Sequence, residues 1–141
     1  MEAERARLKR LLRLERIRAI AKQSLAVESA RAEGTLAQLE ALADRTRQLA
    51  CDYAGRREPV DGLALRQLGE FMAGLEGIST STRSDAATAR AVADAKLEAL
   101  ALAERRRAAV ESRAEKQARH IAAHAVAPQL GTRRGFGTSL E

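Results

Sequence analysis

Aromatic residues are nearly absent from this 141-residue chain, which has no tryptophan, one tyrosine and two phenylalanines. Because large aromatic side chains fill much of a compact core, their scarcity argues against a thick globular domain. The apolar content comes mainly from alanine and leucine, and charged residues make up 31% of the chain. Alanine, leucine, arginine and glutamate are strong helix formers, so this composition is typical of long helices and coiled coils.

Cysteine and long apolar runs are scarce as well. The single Cys51 excludes an internal disulfide, and no apolar stretch follows the charged N-terminus as a secretory signal requires. No run of about 18 apolar residues, the length that crosses a bilayer, is present. These absences predict a cytoplasmic protein. Cys51 is expected to be buried filler near the end of a helix, because no histidine lies near enough to activate its thiol.

The first helical arm is predicted at about residues 5–55. Apolar residues recur there in alternating steps of three and four, the spacing of a coiled-coil seam. Gly55 and Pro59 mark the end of the arm. The predicted seam consists of Leu11, Leu14, Arg18, Ala21, Leu25, Glu28, Ala32, Thr35, Leu39, Leu42, Thr46, Leu49 and Tyr53.

A short helix is predicted at about residues 61–78, at the elbow between the two arms. Asp61 is its expected N-cap, and glycine at position 77 followed by serines and threonines is expected to interrupt it. One face of this helix carries Leu65, Leu68, Met72 and Leu75, with Phe71 beside it.

The second arm is predicted at about residues 84–125. Its seam again follows steps of three and four and is rich in alanine, which complements the leucine-rich first arm. The predicted seam residues are Ala86, Ala89, Ala93, Lys96, Leu100, Ala103, Arg107, Val110, Ala114, Gln117 and Ile121. The sequence therefore predicts an all-α fold, a long antiparallel two-helix coiled-coil hairpin over residues 1–127, followed by a disordered tail at 128–141.

Charge is distributed unevenly along the chain, whose net charge is +6. Residues 1–23 contain eight basic and three acidic side chains, and residues 96–124 contain seven and four, whereas residues 24–95 contain eight and eleven. A hairpin brings the first two segments together, so a basic tip is expected where the two termini lie and a mildly acidic body elsewhere.

The sequence offers no recognisable catalytic or cofactor site. His120 and His124 have the four-residue spacing of paired metal ligands, but no glutamate lies between them as in the metalloprotease pattern, and Cys51 is expected to lie far along the rod. Glycines in the tail follow no strand, so they do not form a phosphate-binding loop. A two-helix rod also lacks a pocket that would shift the pKa of a carboxylate. We therefore expect no enzyme activity, no metal and no cofactor.

Three stretches together resemble the FliJ family of flagellar export stalk proteins, which are related to stalk proteins of other type III secretion systems. The first is the basic opening Leu8 to Glu15, and the second is the segment Leu65 to Ile78, which contains Phe71 and Leu75 in a Phe-x-x-x-Leu pattern. The third extends from Lys96 through Glu104-Arg105-Arg106-Arg107 to Glu115-Lys116-Gln117. The resemblance covers roughly residues 8–119.

The resemblance implies a non-enzymatic stalk that couples the flagellar export ATPase to the membrane export gate at the flagellar base. It implies contact with export chaperones as well, and a peripheral association with the inner membrane through these partners. The gate-facing residues it implies are Tyr53, Leu68, Phe71 and Leu75. The ATPase-facing residues at the basic tip would be Arg7, Arg10, Arg13, Arg113 and Arg119.

Two other functions remain open from the sequence. A nucleic-acid or anionic-surface binder would use the basic stretch Arg5 to Lys22, although no aromatic residue lies nearby to stack on bases, so nucleic acid is not the expected partner. A structural coiled-coil spacer or homodimer would differ from a monomeric hairpin in its mass in solution.

Overall fold

The computed structural model describes residues 1–56 and 61–131 of the chain, the side chains of 127–131 excepted. Two long helices account for nearly all of these residues: α1 is Glu2–Ala54 and α2 is Gly62–Gly131. The two helices pack against each other as a helical hairpin, which confirms the predicted all-α fold. Among the described residues, neither helix contains an apolar stretch of the length needed to span a bilayer.

The contacts divide the chain into two compact units. Unit 1 combines Met1–Ser24 with Ala101–Glu141, and unit 2 is Leu25–Leu100. Each unit contains a segment of α1 packed on a segment of α2. The segments are antiparallel in both units, because residues further along α1 pair with residues earlier in α2. The pairs are Glu4–Gln117, Glu15–Arg107 and Lys22–Glu104 in unit 1, and Glu28–Lys96, Glu40–Arg90 and Tyr53–Phe71 in unit 2.

The α2 seam follows the predicted register. All eleven seam residues predicted between Ala86 and Ile121 are buried or half-buried. Three of them, Ala93, Val110 and Ala114, expose only 2%, 7% and 5% of their surface. The alanine-rich pattern of the second arm was therefore sufficient to identify the side of α2 that packs against α1.

The α1 seam differs from the prediction at every second position. The predicted residues Leu14, Leu42 and Leu49 expose 38%, 47% and 39% of their surface and do not lie in the seam. At these positions, and equally at the predicted positions 21, 28 and 35, the residue in the seam is the next one in the sequence. The buried and half-buried seam residues are Leu8, Leu11, Glu15, Arg18, Lys22, Leu25, Ser29, Ala32, Leu36, Leu39, Ala43, Thr46, Ala50 and Tyr53.

The polar residues of the unit 2 seam are accommodated without loss of hydrogen bonds. Ser29, Thr46 and Thr82 are buried, with 3%, 4% and 5% of their surface exposed. The hydroxyl of Thr46 donates to the carbonyl oxygen of Leu42 at 2.8 Å. Within the described residues, no buried side-chain nitrogen or oxygen lacks a hydrogen-bond partner. Small hydroxyl side chains can therefore replace apolar ones here at little cost.

The ends of the helices near the turn follow the predicted signals. Asp61 is the N-cap of α2, since its Oδ1 accepts a hydrogen bond from the backbone N–H of Ala64 at 2.8 Å. At the end of α1, the N–H of Gly55 donates to the carbonyl oxygen of Cys51 at 3.1 Å. No described glycine has a positive φ, so α1 ends without a left-handed cap. Pro59 lies outside the described residues.

The elbow helix and the tail require correction. The predicted break after Gly77 does not occur, because α2 continues from Gly62 through the serine and threonine stretch. The α2 seam also continues there, with Leu75 and Thr82 buried on the same side of the helix, so packing against α1 outweighs the weak helix propensity of this stretch. The predicted tail begins too early, since α2 includes residues 128–131. Residues 132–141 lie outside the described residues.

Candidate protein-binding surfaces

An aromatic cluster lies in unit 2 beside the end of α1 and the start of α2. The rings of Tyr53 and Phe71 are tilted by 58°, with their centroids 4.8 Å apart. The guanidinium carbon of Arg56 lies 4.5 Å from the centroid of the Tyr53 ring, which is cation–π geometry. Phe71 is 45% exposed although it packs on Tyr53. The cluster thus presents one aromatic face to solvent.

The other two residues predicted to face the export gate are less accessible. Leu68 is half-buried and Leu75 is only 7% exposed. Both lie on the side of α2 that packs against α1, so Leu75 is a core residue of the hairpin and its assignment as an exposed anchor needs correction. Met72 is a half-buried residue of the α2 seam, and Phe71 directly precedes it. Phe71 therefore lies at the edge of the seam.

Several exposed apolar residues near the cluster were not predicted as binding residues. Leu63, Leu65 and Ile78 of α2 expose 64%, 60% and 51% of their surface. Leu49 of α1 exposes 39%. The hydrophobic pattern places Leu49 in the seam only by the phase that α1 does not adopt. Ile78 occupies the same heptad position as Phe71, one heptad later, and this spacing was the available signal.

Cys51 is exposed, which contradicts the prediction that it is buried. The seam residues around it are Ala50 and Tyr53, so Cys51 lies beside the seam and not within it. Its side chain lines an open groove together with Ala50 of α1 and Met72 and Ala73 of α2. The prediction of burial depended on the lack of a residue that could activate the thiol and not on the seam phase, since either phase places Cys51 outside the seam.

The five arginines predicted to form a basic tip all belong to unit 1 and are all exposed. Arg7 and Arg10 line a shallow groove on α1 with the apolar side chains of Leu11 and Leu14. Within the described residues, none of the five forms an ion pair with a carboxylate. Their charge is therefore not neutralised by close contacts and is accessible to an anionic partner. The five arginines are Arg7, Arg10, Arg13, Arg113 and Arg119.

A network of charged side chains crosses the seam of unit 1. The guanidinium of Arg107, whose side chain is 20% exposed, donates to both carboxylate oxygens of Glu104 at 2.9 and 3.0 Å. It also donates to Glu111 at 3.0 Å and to Glu15 of α1 at 3.4 Å. The ammonium group of Lys22 lies 2.8 Å from Glu104. These contacts allow five charged residues to lie at or beside the seam, where apolar residues are usual.

The network alters the pKa values of its central pair. Hydrogen bonds from Arg107 and then from Lys22 lower the pKa of Glu104 from 4.5 to about 2. The hydrogen bond to Glu104, with a smaller contribution from Glu111, raises the pKa of Arg107 above its ordinary value. Glu104 therefore remains a carboxylate at any physiological pH, and the arrangement serves to hold the two helices together.

The two histidines and the remaining acidic residues do not form a metal site in the described part of the chain. His120 and His124 contact each other edge to face, with ring centroids 4.5 Å apart, and both are exposed. No group of three or more potential ligands gathers around a common point within the described residues.

The chain has no counterpart among the known proteins with which it was compared. No family model, no curated protein and no solved structure matches it.

Proposed function

We propose that this chain is a non-enzymatic, cytoplasmic coiled-coil component of a flagellar type III export apparatus. In this proposal it acts as a stalk that couples the export ATPase to the membrane export gate, and it associates with the inner membrane only through its partners. Export chaperones are further partners. The proposal begins from the resemblance of residues 8–119 to the FliJ family and is supported by the two kinds of surface on the hairpin.

The observation that carries the proposal is the division of these surfaces between the two units. The five arginines of the predicted basic tip, which form no ion pair within the described residues, belong to unit 1, where residues 1–23 alone contain eight basic and three acidic side chains. The exposed aromatic face of Phe71 belongs to unit 2, which contains the turn between the helices. A protein that only separates two bodies needs neither surface, whereas a coupling protein needs two chemically different binding surfaces.

The gate contact is tested by measuring the binding of the full-length chain to the cytoplasmic domain of the export-gate protein. Phe71→Ser should weaken binding by about tenfold or more, because aromatic side chains often dominate the energy of an interface. Val92→Ser is a matched control, since Val92 is also in α2 of unit 2 and is 47% exposed against 45% for Phe71. Equal binding by the two variants would exclude Phe71 as the anchor.

The ATPase contact is tested with the purified export ATPase. Arg13→Gln/Arg119→Gln should weaken binding, whereas Arg31→Gln/Arg45→Gln, which changes two exposed arginines of unit 2, should not. Both double variants lower the net charge equally, so a difference between them reports the location of the contact. If the wild-type chain binds neither the ATPase nor the gate domain, the proposed function is wrong.

The nucleic-acid alternative makes a different prediction in the same experiments. Binding through phosphate contacts would fall steeply with added salt and would not depend on Phe71. A steep salt dependence for duplex or single-stranded nucleic acid, together with no binding to the two export proteins, would favour this alternative.

A further inference from the structure

The charges of unit 1 are sorted between the two sides of the helix pair. In heptad notation, where a and d denote seam positions, the c and g positions lie on one side of each helix and the b and e positions on the other. In an antiparallel pair the g positions of the two helices adjoin on one side and the e positions on the other. A groove lined by Leu12 of α1 and by Glu111 and Ala118 of α2 shows that e positions of the two helices adjoin in unit 1.

Every charged side chain at the c and g positions is basic within the described residues of unit 1, and we call this side the basic face. Its five cations are Arg7, Arg10, Arg106, Arg113 and Lys116. The opposite side carries three cations, Arg5, Lys9 and Arg16, against four carboxylates, Glu2, Glu104, Glu111 and Glu115. The two sides therefore differ by six charges, from +5 on the basic face to −1 on the other.

The basic face also contains large apolar side chains that are in contact with water. Leu14, Ile17 and Leu102 expose 38%, 56% and 41% of their surface. They occupy c and g positions like the cations: on α1, Leu14 and Ile17 follow Arg7 and Arg10, and on α2, Leu102 precedes Arg106. A face that served only as a solvated surface would not require three exposed large apolar residues beside its charges.

The c and g positions of each helix recur in steps of three and four, as the positions of a coiled-coil seam do. On α1, Arg7, Arg10, Leu14 and Ile17 follow one another in steps of three, four and three. On α2, the c and g positions from Leu102 to Lys116 follow the same alternation. A helix in a three-helix coiled coil needs two such stripes, because it contacts two neighbours. Each helix of unit 1 therefore has one stripe for its partner in the hairpin and one stripe that is left open.

We propose that the basic face is a docking site for an acidic amphipathic α-helix of a partner protein, which packs along unit 1 as a third helix. Leucine-like residues on the docked helix would cover Leu14, Ile17 and Leu102. Its flanking carboxylates would pair with the five cations, which have no carboxylate partner among the described residues. This mode of binding matches the helix-in-groove recognition that uses anchors at steps of three and four.

The combination of cations and exposed apolar residues on the basic face favours an acidic helix over the other anionic partners. A phosphate backbone would use the cations but not the exposed apolar residues beside them. A membrane surface favours aromatic residues at its interface, and the basic face contains none within the described residues. The inference rests on the proposed function only in treating the exposed arginines as a contact for protein, and it can be tested without the export ATPase.

The test uses a synthetic peptide of about four heptads with leucine at a and d and glutamate at e and g. Repulsion between its glutamates keeps the free peptide from associating with itself at neutral pH, so a gain of helical circular dichroism reports docking. Binding to the full-length chain is measured by fluorescence anisotropy. A scrambled peptide of the same composition lacks the heptad repeat and should bind at least about tenfold more weakly.

Matched variants locate the site. Arg10→Gln/Arg113→Gln on the basic face should weaken binding at least about tenfold, whereas Lys9→Gln/Arg16→Gln on the opposite side should change it less than about twofold. Ile17→Ser should weaken binding, and Leu12→Ser, a leucine of the opposite side that is 51% exposed, should not. All of these residues are exposed, so the hairpin should remain folded.

Several outcomes would overturn the proposal. These are an absence of peptide binding, equal losses in the two double variants, equal binding of the scrambled peptide, or no effect of Ile17→Ser. The proposal also fails if anionic phospholipid vesicles or duplex DNA, and not the peptide, bind in a manner that depends on Arg10 and Arg113. It fails again if light scattering detects a dimer that the same double variant dissociates, because a second copy of the chain would then be the occupant.

Discussion

Replacing Leu75 by alanine should destabilise unit 2 much more than the same replacement of Leu42. Leu75 exposes 7% of its surface in the α2 seam, whereas Leu42 exposes 47% at a position outside the α1 seam. Truncation of a buried leucine costs about 2 to 5 kcal/mol, and the open groove beside Leu75 favours the lower end of that range. Truncation of a leucine about half in water should cost less than about 1 kcal/mol, partly because alanine is the better helix former.

The free energy of unfolding is measured by urea denaturation followed by far-UV circular dichroism. Small domains are stable by about 5 to 15 kcal/mol, so a loss of about 2 kcal/mol at Leu75 is a large part of the total and should be visible in the midpoint. The phase of the α1 seam decides the result for Leu42. If Leu42→Ala costs as much as Leu75→Ala, then Leu42 lies in the seam, and the α1 register described above is wrong.

Three further predictions concern single residues. Gly34→Ala should raise the free energy of unfolding by up to roughly 1 kcal/mol, because a Cβ at this helical position meets no atom within 4 Å; no gain in the urea midpoint would contradict this. The pKa of Glu104 is about 2 in the folded chain against 4.5 ordinarily, so its ion pairs stabilise the fold above pH 4.5, and this contribution is lost as the pH falls towards 2. A low-salt acid titration by circular dichroism should therefore be flatter for Glu104→Gln than for the wild type, and identical curves would refute the assignment. Cys51 should react with a thiol reagent in the native state as fast as in urea, since its side chain is exposed; a native-state rate far below the unfolded rate would restore the buried assignment.

The hydrophobic pattern predicted α2 well and α1 only in part, for a physical reason. In α2 the predicted phase coincides with the observed seam, which includes Lys96, Arg107 and Gln117 among its alanines and leucines. In α1 two phases are possible after Leu11: a step of three places Leu14 in the seam, as predicted, and a step of four places Glu15 there. Hydrophobicity favours Leu14, but the structure places Glu15 in the seam, where it accepts a hydrogen bond from Arg107. A pairing between residues far apart in the sequence is invisible to a local pattern.

The candidate surfaces could be predicted to a similar extent. The exposed arginines of unit 1 follow from charge counting, and Phe71 follows from its place beside an apolar face. The sorting of charge onto one side of unit 1 requires the correct α1 phase, because c and g positions are defined only relative to the seam. The same dependence explains why Leu49 was not recognised as exposed, whereas Cys51 was expected to be buried only because no residue near it could activate its thiol.

The ion pairs between the helices also determine their alignment. Seam layers built from alanine and leucine resemble one another, so apolar packing alone would tolerate a shift of one helix along the other by a heptad, about 10 Å. Such a shift would separate all the oppositely charged partners at once. These are Lys22 and Glu104, Arg107 and Glu15, Lys96 and Glu28, and Arg90 and Glu40. A chain with few large core residues thus uses its charges to specify a single alignment of two otherwise repetitive helices.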